Sequence, residues 1–150
     1  VQNRVYTEGE INEALAAGSR SEALRIVNSV DTSGHGTAVA GIAAGNGRES
    51  GGRYRGVAYE SAIMAVRLGT SLADGFPRTT QLMRGLDAVV RTAMELGLPT
   101  AVNLSFGNTY GSHDGTSLLE TYIDSISNFG RTVLAAGTGN HPSSPCPLPG

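Results

Sequence analysis

Lysine is missing from this 150-residue chain, so all eleven basic residues are arginine. No function follows from that. The scarcity of cysteine says more. A lone Cys146 excludes an internal disulfide and leaves the redox compartment open. No apolar run approaches the roughly 20 residues needed to cross a bilayer as a helix. Charge of one sign is not in excess either. The net charge of -2 gives no basis for a nucleic-acid or membrane-surface partner. No internal repeat is visible. There is no basic-plus-apolar N-terminal signal, and the chain begins at Val1, so it reads as a piece of a longer polypeptide.

The stretch that organises the rest is Asp31-Thr32-Ser33-Gly34-His35-Gly36-Thr37-Ala38-Val39-Ala40-Gly41. A histidine sits between two glycines where a loop gives way to a small-residue helix. Ala38, Val39, Ile42 and Ala43 fall at helical spacing. The imidazole is thereby held at a helix N-terminus with little bulk beside it. Gly41 leaves the helix surface bare enough for another element to approach.

The remainder alternates. Thr7 with Glu10 forms a capping box before a helix carrying Ile11, Ala14 and Leu15, with Gly18 as its stop. Leu24 to Val30 reads as an extended segment, and Asn46 to Tyr54 as an exposed loop. Ile63 to Leu68 has strand length. Thr79 or Thr80 is placed to cap a helix with a stripe of Leu82, Leu86, Val89 and Ala93, widened by Met83, Val90 and Met94 and ended by Gly97 and Pro99. A strand over 100–106 and a helix opened by Ser117 follow. In that helix Leu118, Leu119, Tyr122, Ile123 and Ile126 face inward. A strand over 132–136 ends the pattern.

Such alternation predicts an α/β fold. Three layers are expected, helices on both faces of a mostly parallel sheet, present here as a partial domain. Ligands of such sheets bind beyond the carboxyl ends of the strands. The last ten residues, His141 to Gly150, hold four of the six prolines and read as a linker or disordered tail, leaving 1–140 as the domain portion.

Four blocks in order carry a resemblance. They are Gly34-His35-Gly36-Thr37; Arg55-Gly56-Val57-Ala58 running on to Ile63–Leu68; Val102-Asn103-Leu104-Ser105-Phe106-Gly107; and Val133-Leu134-Ala135-Ala136-Gly137 with Asn140. Together they resemble the subtilisin-like serine proteases. The wording after Phe106 is similar to the clostridial branch, which includes germination proteases of spores. Tyr59 stands where that family usually has Pro, Thr138-Gly139 separates Gly137 from Asn140, and His141 replaces the usual Glu.

The resemblance implies a serine endopeptidase acting on protein or peptide substrates through an acyl-enzyme. His35 would be its general base and Asn140 its oxyanion donor. Ser105, Phe106, Gly107 and Gly137 would line the substrate. For Asn140 a turn residue after the last strand is the plainer alternative. No cofactor is implied. Structural calcium occurs in the family, but no acidic cluster places it here, and the pair His113-Asp114 is too unspecific to suggest a metal. An extracellular or spore-associated location follows from the branch alone. Oligomeric state is unspecified.

Two triad members remain to be found. Asp31 is four residues from His35 in the same loop, and the resemblance implies that an Asp there serves that loop or the nearby substrate groove and is not the triad carboxylate. Gly115-Thr116-Ser117 imitates the family's nucleophile block, but Ser117 precedes Asn140, the reverse of the family order. Ser117 with Glu120 is also a capping box. Both triad partners are therefore expected outside this chain, and the isolated chain is expected to be inactive. A non-catalytic relative that binds or regulates a partner remains as an alternative. A nucleotide-binding α/β domain requires phosphate-loop glycine spacing, which neither Gly34-His35-Gly36-Thr37 nor Gly45-Asn46-Gly47 provides.

Overall fold

The computed structural model describes residues 4–69, 78–105 and 114–137. The chain divides into two compact units, Val1–Ile63 and Met64–Gly150.

The first unit is helical. Helix α1 spans Glu8–Ala16, α2 Arg20–Ile26 and α3 His35–Ala44, and a single 3-10 turn covers Arg48–Ser50. The capping box of α1 forms as the spacing predicts: Thr7 N–H donates to Glu10 Oε2 at 2.8 Å, and Glu10 N–H to Thr7 Oγ1 at 3.3 Å. The segment read as extended from Leu24 is helical through Ile26. Ser19 explains the difference. Its hydroxyl accepts from Glu22 N–H at 3.3 Å, so Ser19 to Glu22 begins a helix whose Ala23, Leu24 and Arg25 are all good helix formers. Only 27–30 leads on without helix or ladder. Helices α1 and α2 pack on each other, and Tyr6 OH accepts from Asn28 N–H at 3.0 Å, tying the N-terminal segment to the exit of α2.

The other end of α3 is secured by the backbone of 56–58. Gly56 N–H donates to Gly45 O at 2.8 Å, Val57 N–H to Ile42 O at 3.1 Å, and Ala58 N–H to Ala43 O at 2.8 Å. These bonds satisfy carbonyls that a helix C-terminus leaves without partners. Only glycine fits at 56: a Cβ there would stand 2.6 Å from Ala44 N and Gly45 N. The close approach expected at Gly41 is thus made at Gly56, and among the described residues nothing lies within 4 Å of a Cβ at Gly41.

The second unit contains α4 (Thr79–Leu96), β1 (Thr100–Leu104), α5 (Leu118–Ser127) and β2 (Thr132–Ala136). β1 and β2 pair in parallel, from Thr100 opposite Thr132 to Leu104 opposite Ala136. The fold class is α/β with a parallel sheet, as the alternating pattern predicts. Leu82, Leu86, Val90 and Ile126 form the core, with Val102, Leu104 and Leu134 packed on it from one sheet face. Ala101, Asn103, Val133 and Ala135 point to the other face and are exposed.

Three expectations are corrected here. The cap of α4 is Arg78, whose N–H donates to Gln81 Oε1 at 3.0 Å, and Thr79 is already helical. Val90, expected at the edge of the stripe, is at its buried centre and Val89 is only half-buried, since 82, 86, 90 and 93 keep one face over three turns. Leu118 is 72% exposed because it is the first residue of α5, ahead of the turn that meets the core. The run 64–68 pairs with no described strand. It lays Val66 and Leu68 against Gly85 of α4, where a Cβ would meet them at 3.0 and 3.3 Å.

Candidate active site

His35 is the first residue of α3, as the sequence places it, and it is exposed. Gly34 precedes it in the left-handed region at φ 77°, a conformation that glycine adopts without strain. The helix start has no serine, threonine or asparagine at its cap position. Asp31 takes over instead, from three residues upstream. Its Oδ1 accepts from Ser33 N–H at 3.1 Å, Ser33 Oγ at 3.1 Å and Gly34 N–H at 2.9 Å. Its Oδ2 accepts from Thr37 N–H and Thr37 Oγ1, each at 2.8 Å. Ser33 Oγ also receives His35 N–H at 3.3 Å.

A carboxylate at this end of a helix also opposes the positive pole of the helix dipole. The Thr37 N–H and hydroxyl, then the Gly34 N–H and Ser33 hydroxyl, hold the Asp31 carboxyl well below the usual carboxylate range. Asp31 is therefore ionised near neutral pH and committed to the loop. That agrees with its reading as a loop residue and leaves it occupied five times over. Sequence reasoning placed Asp31 correctly but missed Ser33 and Thr37 as its partners. The available signal was a hydroxyl residue at each of the two positions flanking Gly34-His35-Gly36.

Ser105 and Gly137 belong to the second unit, and the structure brings them together. Gly137 N–H donates to Leu104 O at 3.0 Å, extending the parallel ladder by one step past β2. That places Ser105 and Gly137 side by side at the carboxyl ends of two parallel strands, where α/β sheets bind ligands. Asn103 Nδ2 donates to Ser105 Oγ at 2.7 Å along the same strand. Phe106, Gly107 and Asn140 lie outside the described residues, as does His113.

Ser117 is a helix cap. Its Oγ accepts from Glu120 N–H at 3.3 Å, and its own N–H donates to Glu120 Oε2 at 3.0 Å. Hydrogen bonding from the Ser117 hydroxyl and from the Ser117 N–H holds the Glu120 carboxyl below its ordinary range. Asp114 sits one turn earlier and accepts from Thr116 N–H at 2.9 Å and Thr116 Oγ1 at 2.7 Å, shaping the approach to α5. Among the described residues no three His, Cys, Asp or Glu side chains come together as a metal site.

Comparison with known proteins adds two findings. The peptidase S8 profile, described as the subtilase family, matches residues 10–149. A solved structure described as that of the Clostridium perfringens CspB protease is 38% identical, with a TM-score of 0.75 over 86% of this chain and 27% of that one. This chain therefore spans about a quarter of that protease's length.

Proposed function

Because the chain belongs to the subtilase family, we propose that residues 1–140 form the central part of a serine endopeptidase's catalytic domain. His35 is its general base. It takes the proton from a serine hydroxyl as that oxygen attacks the scissile carbonyl, and it returns the proton to the leaving amine. The acyl-enzyme is then hydrolysed by water activated in the same way. This chemistry requires no cofactor.

The observation that carries the reading is the placing of His35 within the family match. It is exposed at the first position of α3, in a loop held by a carboxylate that is itself fully engaged.

The substrate lies beyond the carboxyl ends of β1 and β2, against Ser105, Phe106, Gly107 and Gly137. Extended peptide pairs there by main-chain hydrogen bonds, which give affinity with little sequence preference. Asn140 donates its amide N–H to the developing oxyanion. The nucleophile and the triad carboxylate come from segments outside residues 1–150. Support for this is that Ser117 is occupied as a cap and Asp31 as a loop anchor.

The test is fluorophosphonate labelling of the longer polypeptide, of its His35→Ala variant, and of this chain alone. Labelling of the first only is the expected result. Labelling of this chain at Ser117 would overturn the assignment of the nucleophile. Absence of labelling in all three would favour a non-catalytic relative that binds a protein partner.

A further inference from the structure

Residues 48–55 gather positive charge in a chain that is acidic overall. Arg48, Arg53 and Arg55 against Glu49 give the stretch a charge of +2, whereas the whole chain carries -2, so everything outside the stretch carries -4. All three arginines are exposed. The ion pairs among the described residues are Arg4–Glu10 and Arg91–Asp87, and none of these three arginines takes part in one. Two of them are nevertheless held in place. Arg53 lies over the Tyr54 ring, 5.3 Å from its centroid, and Arg55 over the Tyr59 ring at 4.8 Å. Arg55 is also laid across two glycines: a Cβ at Gly47 would stand 2.8 Å from its Cγ, and one at Gly52 2.8 Å from its Nη2. Stacking occupies the face of a guanidinium and leaves its N–H edge outward. That edge is the one that matches a carboxylate as a fork.

A freely moving surface arginine adds little affinity, because ordering its side chain offsets the attraction. An arginine already ordered by stacking avoids most of that loss. Tyrosine and arginine are also the residues that lead at protein interfaces, and Tyr54 is 71% exposed. We propose that 48–59 is a docking surface for an acidic segment of a protein partner. The guanidinium edges of Arg53 and Arg55 receive its carboxylates, and Arg48 adds to the attraction. A short acidic peptide meets only this loop, whereas a long polyanion such as a nucleic acid also meets the -4 carried by the rest of the chain. The surface is separate from His35. That histidine begins α3, and 56–58 bond to the other end of this ten-residue helix, roughly 15 Å away at 1.5 Å per residue. Docking here works with or without catalysis at His35.

The experiment titrates this chain, isotope-labelled, with a capped peptide of alternating glutamate and glycine, and follows the arginine Nε–H signals. Saturable shifts are expected at Arg53 and Arg55 and not at Arg20 or Arg84, which are exposed on α2 and α4. The same peptide with glutamine for glutamate should give none. Arg55→Gln should weaken binding by about tenfold or more, the size of a hydrogen bond to a charged group. Arg55→Lys keeps the charge, loses the fork and should weaken it as well. Arg84→Gln should leave it unchanged. Amide exchange at Val57 and Ala58 reports whether the loop stays on α3 in each variant. If Arg55→Gln loses that protection, Arg53→Gln decides: a loss of about tenfold upholds the surface and parental affinity overturns it. Absence of saturation, shifts spread over all the arginines, or parental binding in Arg55→Lys each overturns the proposal. A thymidine oligonucleotide that binds more tightly than the glutamate peptide would assign the loop to nucleic acid and overturn it too.

Discussion

Ser117 and Glu120 cap each other, each accepting the other's backbone N–H, at 3.3 and 3.0 Å. That exchange gives Ser117 a structural role as the cap of α5, although Gly115-Thr116-Ser117 resembles the wording around a nucleophile. The serine oxygen is an acceptor for a helix N–H, and its neighbouring carboxylate faces the backbone.

Replacing Ser117 with Ala therefore costs stability and not reactivity. Loss of a serine cap typically costs about 1 kcal/mol. Urea unfolding of this chain should show a loss of that size, followed by circular dichroism. Fluorophosphonate labelling of the longer polypeptide should be unchanged in the same variant. Loss of labelling with stability intact would show that the cap is also the nucleophile.

How legible this chain is depends on whether a signal is local. Caps at Thr7 and Ser117 and the stop at Gly97 are set by residues within a few positions, and all appear where the sequence puts them. Helix α2 was hidden by a strand-like run, Leu24 to Val30, although Ser19 and Glu22 carried the correct signal. The run 64–68 has the composition of a strand, but a strand is defined by its neighbour, and no sequence pattern names the neighbour. The same holds at the site. The place of His35 at the start of α3 was legible because glycines and a small-residue helix surround it. The Thr37–Asp31 bonds span six residues through a loop with no period, so only the structure shows them.

Acid should loosen the start of α3. Asp31 titrates below the usual carboxylate range, because Thr37, Gly34 and Ser33 donate to its ionised form. The unfolded chain binds that proton near the ordinary value of about 3.9. Between the two values the unfolded state holds more protons, so the contribution is complete above about pH 4 and is lost as pH falls below it. Glu10 and Glu120 are also lowered and act in the same window. The contribution of Asp31 is therefore read as a difference. Thermal midpoints from pH 5 to pH 2.5 should fall less steeply in Asp31→Asn than in the parent. Parallel slopes would show that Asp31 ionisation does not support the loop.

Two glycines separate steric from conformational demand. At Gly97 the φ of 66° is strained for any other residue, yet a Cβ would meet nothing within 4 Å. Gly97→Ala should cost roughly 1–2 kcal/mol, the left-handed penalty alone. At Gly56 the φ is not positive, but a Cβ would lie 2.6 Å from Ala44 N and Gly45 N and 2.7 Å from Gly41 O. All three are backbone atoms, which cannot swing aside as a side chain can. Gly56→Ala should therefore part 56–58 from α3, raising amide exchange at Val57 and Ala58 by tenfold or more. Gly97→Ala should leave those two amides untouched. Protection retained at Val57 and Ala58 in Gly56→Ala would show that the contact yields without breaking.

The oxyanion role proposed for Asn140 separates from its plainer alternative by kinetics. An amide that meets negative charge only as the tetrahedral intermediate forms contributes nothing to holding the ground-state peptide. Asn140→Ala in the longer polypeptide should then lower kcat by roughly a hundred- to a thousand-fold, the size of effect found for an oxyanion-hole asparagine in subtilisin itself. KM should stay within about twofold, since an interaction made only in the transition state lowers kcat and kcat/KM together. A turn asparagine behaves otherwise. Its loss would shift the unfolding midpoint and leave the kcat of the folded fraction near its parent value. Active-site titration with the fluorophosphonate supplies that fraction, so the two cases divide on kcat per labelled site. A parental value there would move the oxyanion donor away from Asn140.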